Sequence, residues 1–371
     1  MDFDFSDEQQ QLREAVHKWV EKAYTTERRR AIVAEGGFSA DAYRELAELG
    51  LCGLYIPEQL GGMGMGPVEG MVTMQELGHG IVLEPLAQAL IAGAVLSAYA
   101  PETLASQWAP LVASGKKIIS LAYQERASRY RLDVCSTTAS PQGDSWALSG
   151  NKSLVVAGHK ADAYLVSATI DGKLALFLVE RSGRGVSTRG YGTVDGACAA
   201  ELQLEDAAAR LISVDGLAVL EHAVDIGIAA TCAEAVGVMD QTLAITVDYM
   251  NTRKQFGVAI SSFQALKHRV ADMKMQLELA RSMSYYASLK LNAAASERRA
   301  AMARAKFQLG QSMRFVGQQA IQLHGGIGVT DEYTVGHYFK RLTQMEMVFG
   351  DSLHHLGEVS SRMQDSAGVF A

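Results

Sequence analysis

The chain has 371 residues, of which 48% are hydrophobic and 20% charged, and its net charge is −7. This length allows two or three domains with a substantial core, and the composition is that of a soluble globular protein. The acidic balance excludes general nucleic-acid binding through a basic surface.

The first region, residues 1–118, has helical periodicity. In "DEQQQLREAVHKWVEKAY" apolar residues recur at helical spacing, and Ser6 stands where an N-cap is expected. The same spacing recurs in "SADAYRELAELGLCGL" and stops at the glycine-rich "PEQLGGMGMGP". These patterns predict an N-terminal α-helical domain. The acidic start "MDFDFSDEQQ" has no apolar stretch, so no signal peptide is expected.

Near residue 118 the period changes to that of strands. Short segments rich in β-forming residues follow one another, separated by turn signals such as "IDGK". They predict an antiparallel sheet or barrel over residues 119–216. The strand candidates are "KIISLAYQ", "CSTTAS", "WALSGNKSLVVAG", "DAYLVSATI", "KLALFLVE" and "AELQLEDA".

Helical spacing returns at residue 217 and continues nearly to the end. Four long segments with apolar stripes predict an antiparallel four-helix bundle over residues 217–371. They cover residues 217–250, 262–294, 298–323 and 336–364. The expected fold class is therefore mainly α with a central β-domain, and the stripes pack on each other or on another chain.

The cysteines and the apolar runs indicate the compartment. Four separated cysteines form no CxxC pair, which favours buried thiols in a reducing compartment over disulfides or a zinc site. No apolar run reaches the roughly 18 residues that a membrane span needs. We therefore expect a cytoplasmic protein without membrane insertion and without a bound metal.

Three strings add specific information to the helical, β, helical order. They are "GLCGLYIPEQLGGMGM" (50–65), "TRKQFGVAISSFQALKHRVADM" (252–273) and "AIQLHGGIGVTDEYTVGHYFKR" (320–341). With them the chain resembles the acyl-CoA dehydrogenase family over essentially its whole length. The resemblance implies a FAD-carrying oligomer that oxidises an acyl-CoA thioester to the 2,3-enoyl-CoA, with electron-transfer flavoprotein as electron acceptor. A carboxylate base removes the α-proton and the flavin takes the β-hydride.

The second and third strings suit a dinucleotide. Arg253 offers a forked cation for a pyrophosphate, Phe256 an aromatic face, and Gly257 a turn after a helix. Each string alone is more often an ordinary helix end than a ligand site. The resemblance implies that these segments cross a subunit interface and hold the adenine–diphosphate half of the neighbour's FAD. The residues concerned are Arg253, Gln255, Phe256, Gln264, Gln322, Gly325 and Gly326.

The strings that face the flavin ring in the family are altered. The family string T-E-P-x-A-G-S-D corresponds to "QERASRYRLD" (124–133), and W-I-T-N-G corresponds to "LVVAG" (154–158). The substitutions remove polar partners and fill space, which predicts a weakened ring site in this chain's own middle domain. The substituted positions are Arg126, Arg129, Tyr130, Leu154 and Val156.

Both usual positions of the catalytic base lack an acid. In "VFGDSLHHL" (348–356) the register places Gly350 at the family's glutamate, with Asp351 and Ser352 after it. The other usual position, near the start of the first bundle helix, falls on Gly227 and Ile228, which carry no charge. The altered base positions distinguish this chain from the self-sufficient members that it resembles.

Three interpretations of "VFGDSLHHL" follow. A metal site is disfavoured, because His354 and His355 point in different directions on a helix. Asp351 is a candidate base, although it is one residue out of register and one methylene shorter than glutamate. The remaining interpretation is a helix start, with Asp351 or Ser352 as the cap and Ser352 touching a flavin.

The combined pattern most resembles the small or β-type subunit of bacterial heteromeric acyl-CoA dehydrogenases of steroid or other lipid catabolism. We therefore expect an α2β2 assembly in which a homologous subunit supplies the base and the ring-side half of the FAD site. The alternatives are a homotetramer that uses Asp351 as base, a flavin monooxygenase of the same fold, and a structural subunit without ligand.

Overall fold

The computed structural model describes residues 5–143 and 145–366. Its helices lie largely in the two regions that the sequence predicts as helical. They are α1 (Asp7–Ala23), α2 (Thr26–Ala34), α3 (Ala40–Glu48), α4 (Pro67–His79), α5 (Leu86–Tyr99), α6 (Glu102–Ala113), α7 (Gly216–Thr252), α8 (Gln264–Lys290), α9 (Ala295–His324), α10 (Val335–Met347) and α11 (Ser352–Ser366). Ser6 caps α1 as expected, because it forms a capping box with Gln9.

Seven strands between α6 and α7 form one sheet, which confirms the central β-barrel. They are β1 (Ile119–Ala122), β2 (Thr138–Gln142), β3 (Ser145–Val156), β4 (Ala163–Ile170), β5 (Lys173–Glu180), β6 (Val186–Gly192) and β7 (Cys198–Ser213). The order is β1-β4-β2-β3-β7-β5, β6 pairs with β7, and pairing of β4 with β5 closes the sheet. The pairing is antiparallel except between β4 and its neighbours β1 and β2.

Two elements differ from the expectation. The predicted fourth bundle helix, residues 336–364, is two helices, α10 and α11, separated by residues 348–351. Phe349 and Gly350 have φ angles of 58° and 107° there, which a continuous helix excludes. Strand β6 was not predicted, since its sequence "VSTRGYG" contains two glycines and little apolar alternation.

The chain forms two compact units from interleaved segments. One unit comprises Met1–Glu27, Met71–Val82 and Ile228–Ala371, and we call it the bundle unit. The other comprises Arg28–Gly70 and Leu83–Gly227 and contains the sheet, so we call it the barrel unit. The division into domains 1–118, 119–216 and 217–371 stays a prediction.

Helix α7 is long, apolar and largely buried. By length and composition it is apolar enough to cross a membrane, contrary to the expectation from the sequence, yet 78% of its most apolar window is buried in the protein. Such burial is typical of the central helix of a globular fold. Cys52, Cys198 and Cys232 are buried and Cys135 is half-buried, and all four thiols are free, as expected.

A glycine in α7 lets α4 pack against it backbone to backbone. A Cβ atom at Gly237 would lie 1.9 Å from the carbonyl oxygen of Gln75. We expect Gly237→Ala to destabilise the bundle unit by about 1–3 kcal/mol, because the two helices must separate. Urea unfolding measures this, with Gly357→Ala in α11 as control, since a Cβ there meets open space. Equal effects of the two substitutions would contradict the close approach.

Candidate functional site

The ends of α7 and α9 meet at one end of the bundle unit. The rings of Tyr249 and His324 stack with centroids 4.4 Å apart, and Tyr333 lies edge-on to Tyr249. The hydroxyl of Tyr249 donates a hydrogen bond to the carbonyl of His324 at 3.3 Å. Because Arg253 lies one turn after Tyr249, this packing brings the predicted residues of the 252–273 and 320–341 strings to the same end.

A tight hairpin projects from this end. Strands β8 (Lys254–Gln255) and β9 (Val258–Ala259) are joined by Phe256 and Gly257, whose φ angles are 55° and 81°. Two positive φ values in a two-residue loop are typical of a type I′ turn, which favours Asn-Gly over Phe-Gly. Phe256 is nevertheless there and is 92% exposed. A strained aromatic residue held in solvent indicates a contact surface for another molecule.

Polar side chains around the hairpin are free to bind. Arg253, Gln255, Gln264 and Gln322 are exposed. Within residues 5–143 and 145–366, no hydrogen bond or ion pair joins these four side chains to the rest of the protein. Together with Phe256 they form what we call the hairpin surface.

Glycines and a groove complete the hairpin surface. Gly325 and Gly326 are exposed, and a Cβ at either position would meet nothing within 4 Å, so a ligand has room to approach the backbone. A half-open groove of about 400 Å³ lies between the end of α7 and the start of α8. Its lining residues are Val247, Met250, Asn251, Ser261, Ser262, Lys267 and Val270. Forked donor, aromatic side chain, open backbone and groove together fit the adenine–diphosphate half of FAD.

The loop between β1 and β2, which includes residues 124–133, is fixed by a buried ion pair. Lys152 is fully buried, and its Nζ donates to Oε1 of Glu125 at 2.7 Å and to Oγ of Ser167 at 3.1 Å. Glu125 also accepts hydrogen bonds from the backbone N–H of Ser136 at 2.7 Å and from the hydroxyl of Thr137 at 2.7 Å. Glu125 therefore anchors the loop from inside, a role that the sequence pattern does not indicate.

The altered ring-side positions lie on the surface of the barrel unit. Arg126 is exposed and reaches Glu201 at 3.6 Å, while Arg129 lies over the ring of Tyr130 at 5.8 Å. Leu154 is 48% exposed and has a φ of 55°, at a register shift between β3 and β7. A leucine with positive φ stands where the family has an aromatic residue, and the weakened ring site stays a prediction.

The usual base position has no room for a side chain. Gly350 has a φ of 107°, and a Cβ there would lie 2.6 Å from Cδ2 of His354 and 2.7 Å from Nε2 of His355. Both histidines would have to move to admit glutamate. Nε2 of His355 is 3.0 Å from the carbonyl oxygen of Phe349, and burial lowers the pKa of His355 to about 3, so the ring is neutral.

Asp351 and Ser352 make the contacts of a helix start. Oδ1 of Asp351 accepts a hydrogen bond from the N–H of His354 at 2.8 Å, which caps α11. Ser352 is buried, and both its N–H and its hydroxyl donate to Oε1 of Glu346, at 3.0 and 2.8 Å. The hydroxyl of Ser352 is thus occupied within the chain, whereas the half-buried Asp351 retains access to solvent. The predicted roles of these two residues toward a flavin or substrate stay predictions.

A buried lysine, which was not predicted from the sequence, holds the break between α10 and α11. Nζ of Lys306 donates to the carbonyl oxygens of Met345, Glu346 and Gly350, at 3.0, 2.8 and 3.0 Å. These carbonyls have no helical N–H ahead of them, so the ammonium replaces the missing donors. Burial lowers the pKa of Lys306 to about 8. The only sequence signal is one lysine in the apolar stripe of α9.

The second usual base position is buried. Gly227 and Ile228 lie in the interior of α7, and the nearby acids are Glu221, half-buried, and Asp225, fully buried. Neither of the two positions that the resemblance designates therefore carries a carboxylate.

The comparisons with known proteins agree over both helical regions. The profile of the acyl-CoA dehydrogenase N-terminal domain matches residues 6–116, and that of the acyl-CoA dehydrogenase C-terminal domain matches residues 214–364. Acyl-CoA dehydrogenase FadE27 of Mycobacterium tuberculosis is 27% identical, over 99% of this chain and 100% of that protein.

Two solved structures have the same fold. The ChsE4–ChsE5 complex from Mycobacterium tuberculosis is 27% identical with a TM-score of 0.91, and the match covers 99% of this chain and 99% of that chain. A variant of the Tcur3481–Tcur3483 steroid ACAD is 29% identical with a TM-score of 0.90, and the match covers 97% of this chain and 99% of that chain. Nearly the whole chain is therefore similar to both.

Proposed function

The chain belongs to the acyl-CoA dehydrogenase family of oxidoreductases, and on that premise we propose that it is the base-lacking partner chain of a heteromeric enzyme. In this proposal the chain completes the FAD site of a homologous catalytic subunit. The assembled enzyme oxidises an acyl-CoA thioester to the 2,3-enoyl-CoA. The catalytic subunit supplies the carboxylate that removes the α-proton.

One contrast carries this proposal. The hairpin surface keeps every residue that the resemblance assigns to a neighbour's FAD, and all of them are exposed. The usual base position, in contrast, is Gly350, and His354 and His355 occupy the space that a side chain there would need. A chain that serves only its neighbour's site needs the hairpin surface and does not need a base of its own.

The hairpin surface would hold FAD by charge and by stacking. Arg253 would donate to the diphosphate, Phe256 would cover the adenine side, and the backbone at Gly325 and Gly326 would allow close approach. When bound, FAD supplies the hydride acceptor of the reaction. The chain's own residues contribute orientation of the dinucleotide and exclusion of water from it.

The relatives support the substrate class and the assembly. One similar structure is described as a ChsE4–ChsE5 complex and another as a steroid ACAD. We propose accordingly an α2β2 assembly and a steroid or other lipid acyl-CoA as substrate. The electron-transfer flavoprotein as acceptor follows from the family resemblance, and a cytoplasmic location is proposed from the sequence alone.

The test is the flavin content of the purified protein, alone and co-expressed with a homologue that retains the glutamate. We expect little flavin in the chain alone and about one FAD per pair of unlike chains in the complex. A yellow, active homotetramer with one FAD per chain would replace the proposal by the self-sufficient enzyme. A complex without FAD would support a structural subunit.

Asp351 is the residue on which the self-sufficient alternative depends, because it is half-buried and directly follows Gly350 at the usual base position. We expect Asp351→Asn to change dehydrogenation by the assembled complex by no more than a few fold. Asparagine caps a helix about as well as aspartate, so the fold is preserved. Loss of a general base lowers the rate by about 10²–10⁴-fold. A decrease of that size with unchanged FAD content would make Asp351 the base.

A further inference from the structure

Three potential metal ligands converge in the bundle unit, between α1 and α4. Nδ1 of His17 and Nδ1 of His79 each lie 3.0 Å from Oε2 of Glu76. All three ligand atoms lie within 4.8 Å of one another. The side chain of Glu76 is only 1% exposed, whereas that of His17 is 46% exposed, so the cluster is anchored in the protein and open on one side.

The Nε2 atom of each imidazole ring lies near a second carboxylate. Nε2 of His79 lies 3.5 Å from Oδ2 of Asp240, and Nε2 of His17 lies 3.3 Å from Oε1 of Glu21. A carboxylate that accepts the Nε2–H of histidine leaves Nδ1 with its lone pair, which is how outer-shell carboxylates prepare histidine ligands for metals. Both Nδ1 atoms point at Oε2 of Glu76, and a metal that displaces the protons between them would find three ligand atoms already in place.

We propose that His17, Glu76 and His79 form a binding site for a divalent transition metal such as Zn²⁺. The ligands are the two Nδ1 atoms and Oε2 of Glu76, with the fourth position open to water on the side of His17. Ligand atoms of a tetrahedral zinc site lie about 3.3 Å apart when each is about 2.0–2.1 Å from the metal. The two observed separations of 3.0 Å need only a small expansion to admit the ion.

The remaining charges around the cluster are compatible with the site. Nε of Arg13 donates to Oε1 of Glu76 at 2.8 Å and leaves Oε2 for the metal. Arg281 lies 3.6 Å from Asp240. In the metal-free protein, protons occupy the place of the metal. Burial lowers the pKa of His79, but hydrogen bonds to Asp240 and Glu76 outweigh burial and raise the pKa to about 9. Metal binding therefore releases protons from the cluster.

No metal was expected from the sequence, because the chain has no CxxC pair and the adjacent His354 and His355 point in different directions on a helix. The E-x-x-H spacing of Glu76 and His79 is visible in the sequence, but the third ligand is 59 residues away on another helix. Among the described residues, the side chains placed close enough together to hold a metal are His17, Glu76 and His79, and not His354 or His355.

The test is calorimetric titration of the untagged, chelator-treated full-length protein with Zn²⁺ alone. We expect one site per chain, and with Co²⁺ a visible spectrum without a thiolate charge-transfer band. His17→Gln should weaken binding by more than the roughly 10–100-fold that loss of an outer-shell partner causes, and Asp240→Ala should fall within that range. His268→Gln, an exposed histidine of α8, should leave binding unchanged.

Three results would overturn the proposal. They are the absence of saturable binding to the wild-type protein, an affinity that His17→Gln leaves unchanged, and an equal loss in His268→Gln. Since His17 is half exposed, its substitution is tolerated by the fold, and circular dichroism verifies this. A thiolate band with Co²⁺ would place the metal at a cysteine and would also refute the site.

Discussion

Replacement of Lys152 by methionine should destabilise the barrel unit by about 3–5 kcal/mol. The side chain of Lys152 is 0% exposed and that of Glu125 is 7% exposed, so the substitution leaves a carboxylate buried without its counter-charge. Glu125 keeps its hydrogen bonds from Ser136 and Thr137, but these do not neutralise its charge. Urea unfolding, followed by the fluorescence of Trp146 on β3, measures the loss.

Two variants make this result specific to the buried pair. The double variant Lys152→Met with Glu125→Gln should recover part of the loss, because no unpaired charge remains. Lys173→Met, at an exposed lysine of β5 in the same sheet, should change the stability by less than about 0.5 kcal/mol. If Lys152→Met were as mild as Lys173→Met, the ion pair would not anchor the loop after β1.

The same pair predicts a pH dependence. Burial alone would raise the pKa of Glu125, but the ion pair with Lys152 and the hydrogen bonds from Ser136 and Thr137 lower it to about 2. A lowered carboxyl pKa stabilises the fold fully above the unfolded value of about 4.5, and this contribution is lost as the pH falls towards 2. We expect the wild type to lose more stability between pH 5 and 2 than the double variant. Parallel pH profiles would contradict this assignment.

The overall fold was predictable because its signals are local. The change from helical to strand periodicity near residue 118, and back near residue 217, follows directly from the sequence. Strand β6 was missed because it is held by a single neighbour and carries few apolar residues. The break at residues 348–351 was missed because α10 and α11 are both amphipathic, and the donor that holds the break, Lys306, lies on α9.

The site was predictable only in part, for a related reason. The strings around Arg253 and Gln322 are specific, so the sequence alone is enough to indicate the hairpin surface. The physical properties of these residues do not identify the site without the resemblance, since each string alone is more often an ordinary helix end. The Glu125–Lys152 pair joins residues 27 positions apart, and such a pair does not change the spacing of apolar residues from which helices and strands are predicted. The same holds for Lys306 and for the cluster of His17.

Substitution of Arg253 should have the clearest functional effect. Arg253 is exposed and lacks a partner within the described part of the chain, and Tyr249 and His324 fix the helix ends that present it. A charge-assisted hydrogen bond from arginine to a phosphate contributes about 1.5–3 kcal/mol. Its loss should therefore weaken FAD binding by roughly ten- to a hundred-fold.

We expect Arg253→Ala to deplete the complex of FAD while the two chains still associate, because one exposed side chain contributes little to an interface of standard size. Arg253→Lys should be intermediate, since lysine keeps the charge but loses the forked geometry. Arg304→Ala serves as control, because it is exposed on α9 about 27 Å along the helix from Gln322. The FAD dissociation constant and size-exclusion chromatography measure the two effects separately. An unchanged FAD affinity in Arg253→Ala would mean that the hairpin surface does not serve the neighbour's cofactor. Dissociation of the two chains without loss of FAD affinity would mean that the hairpin surface is a protein contact only.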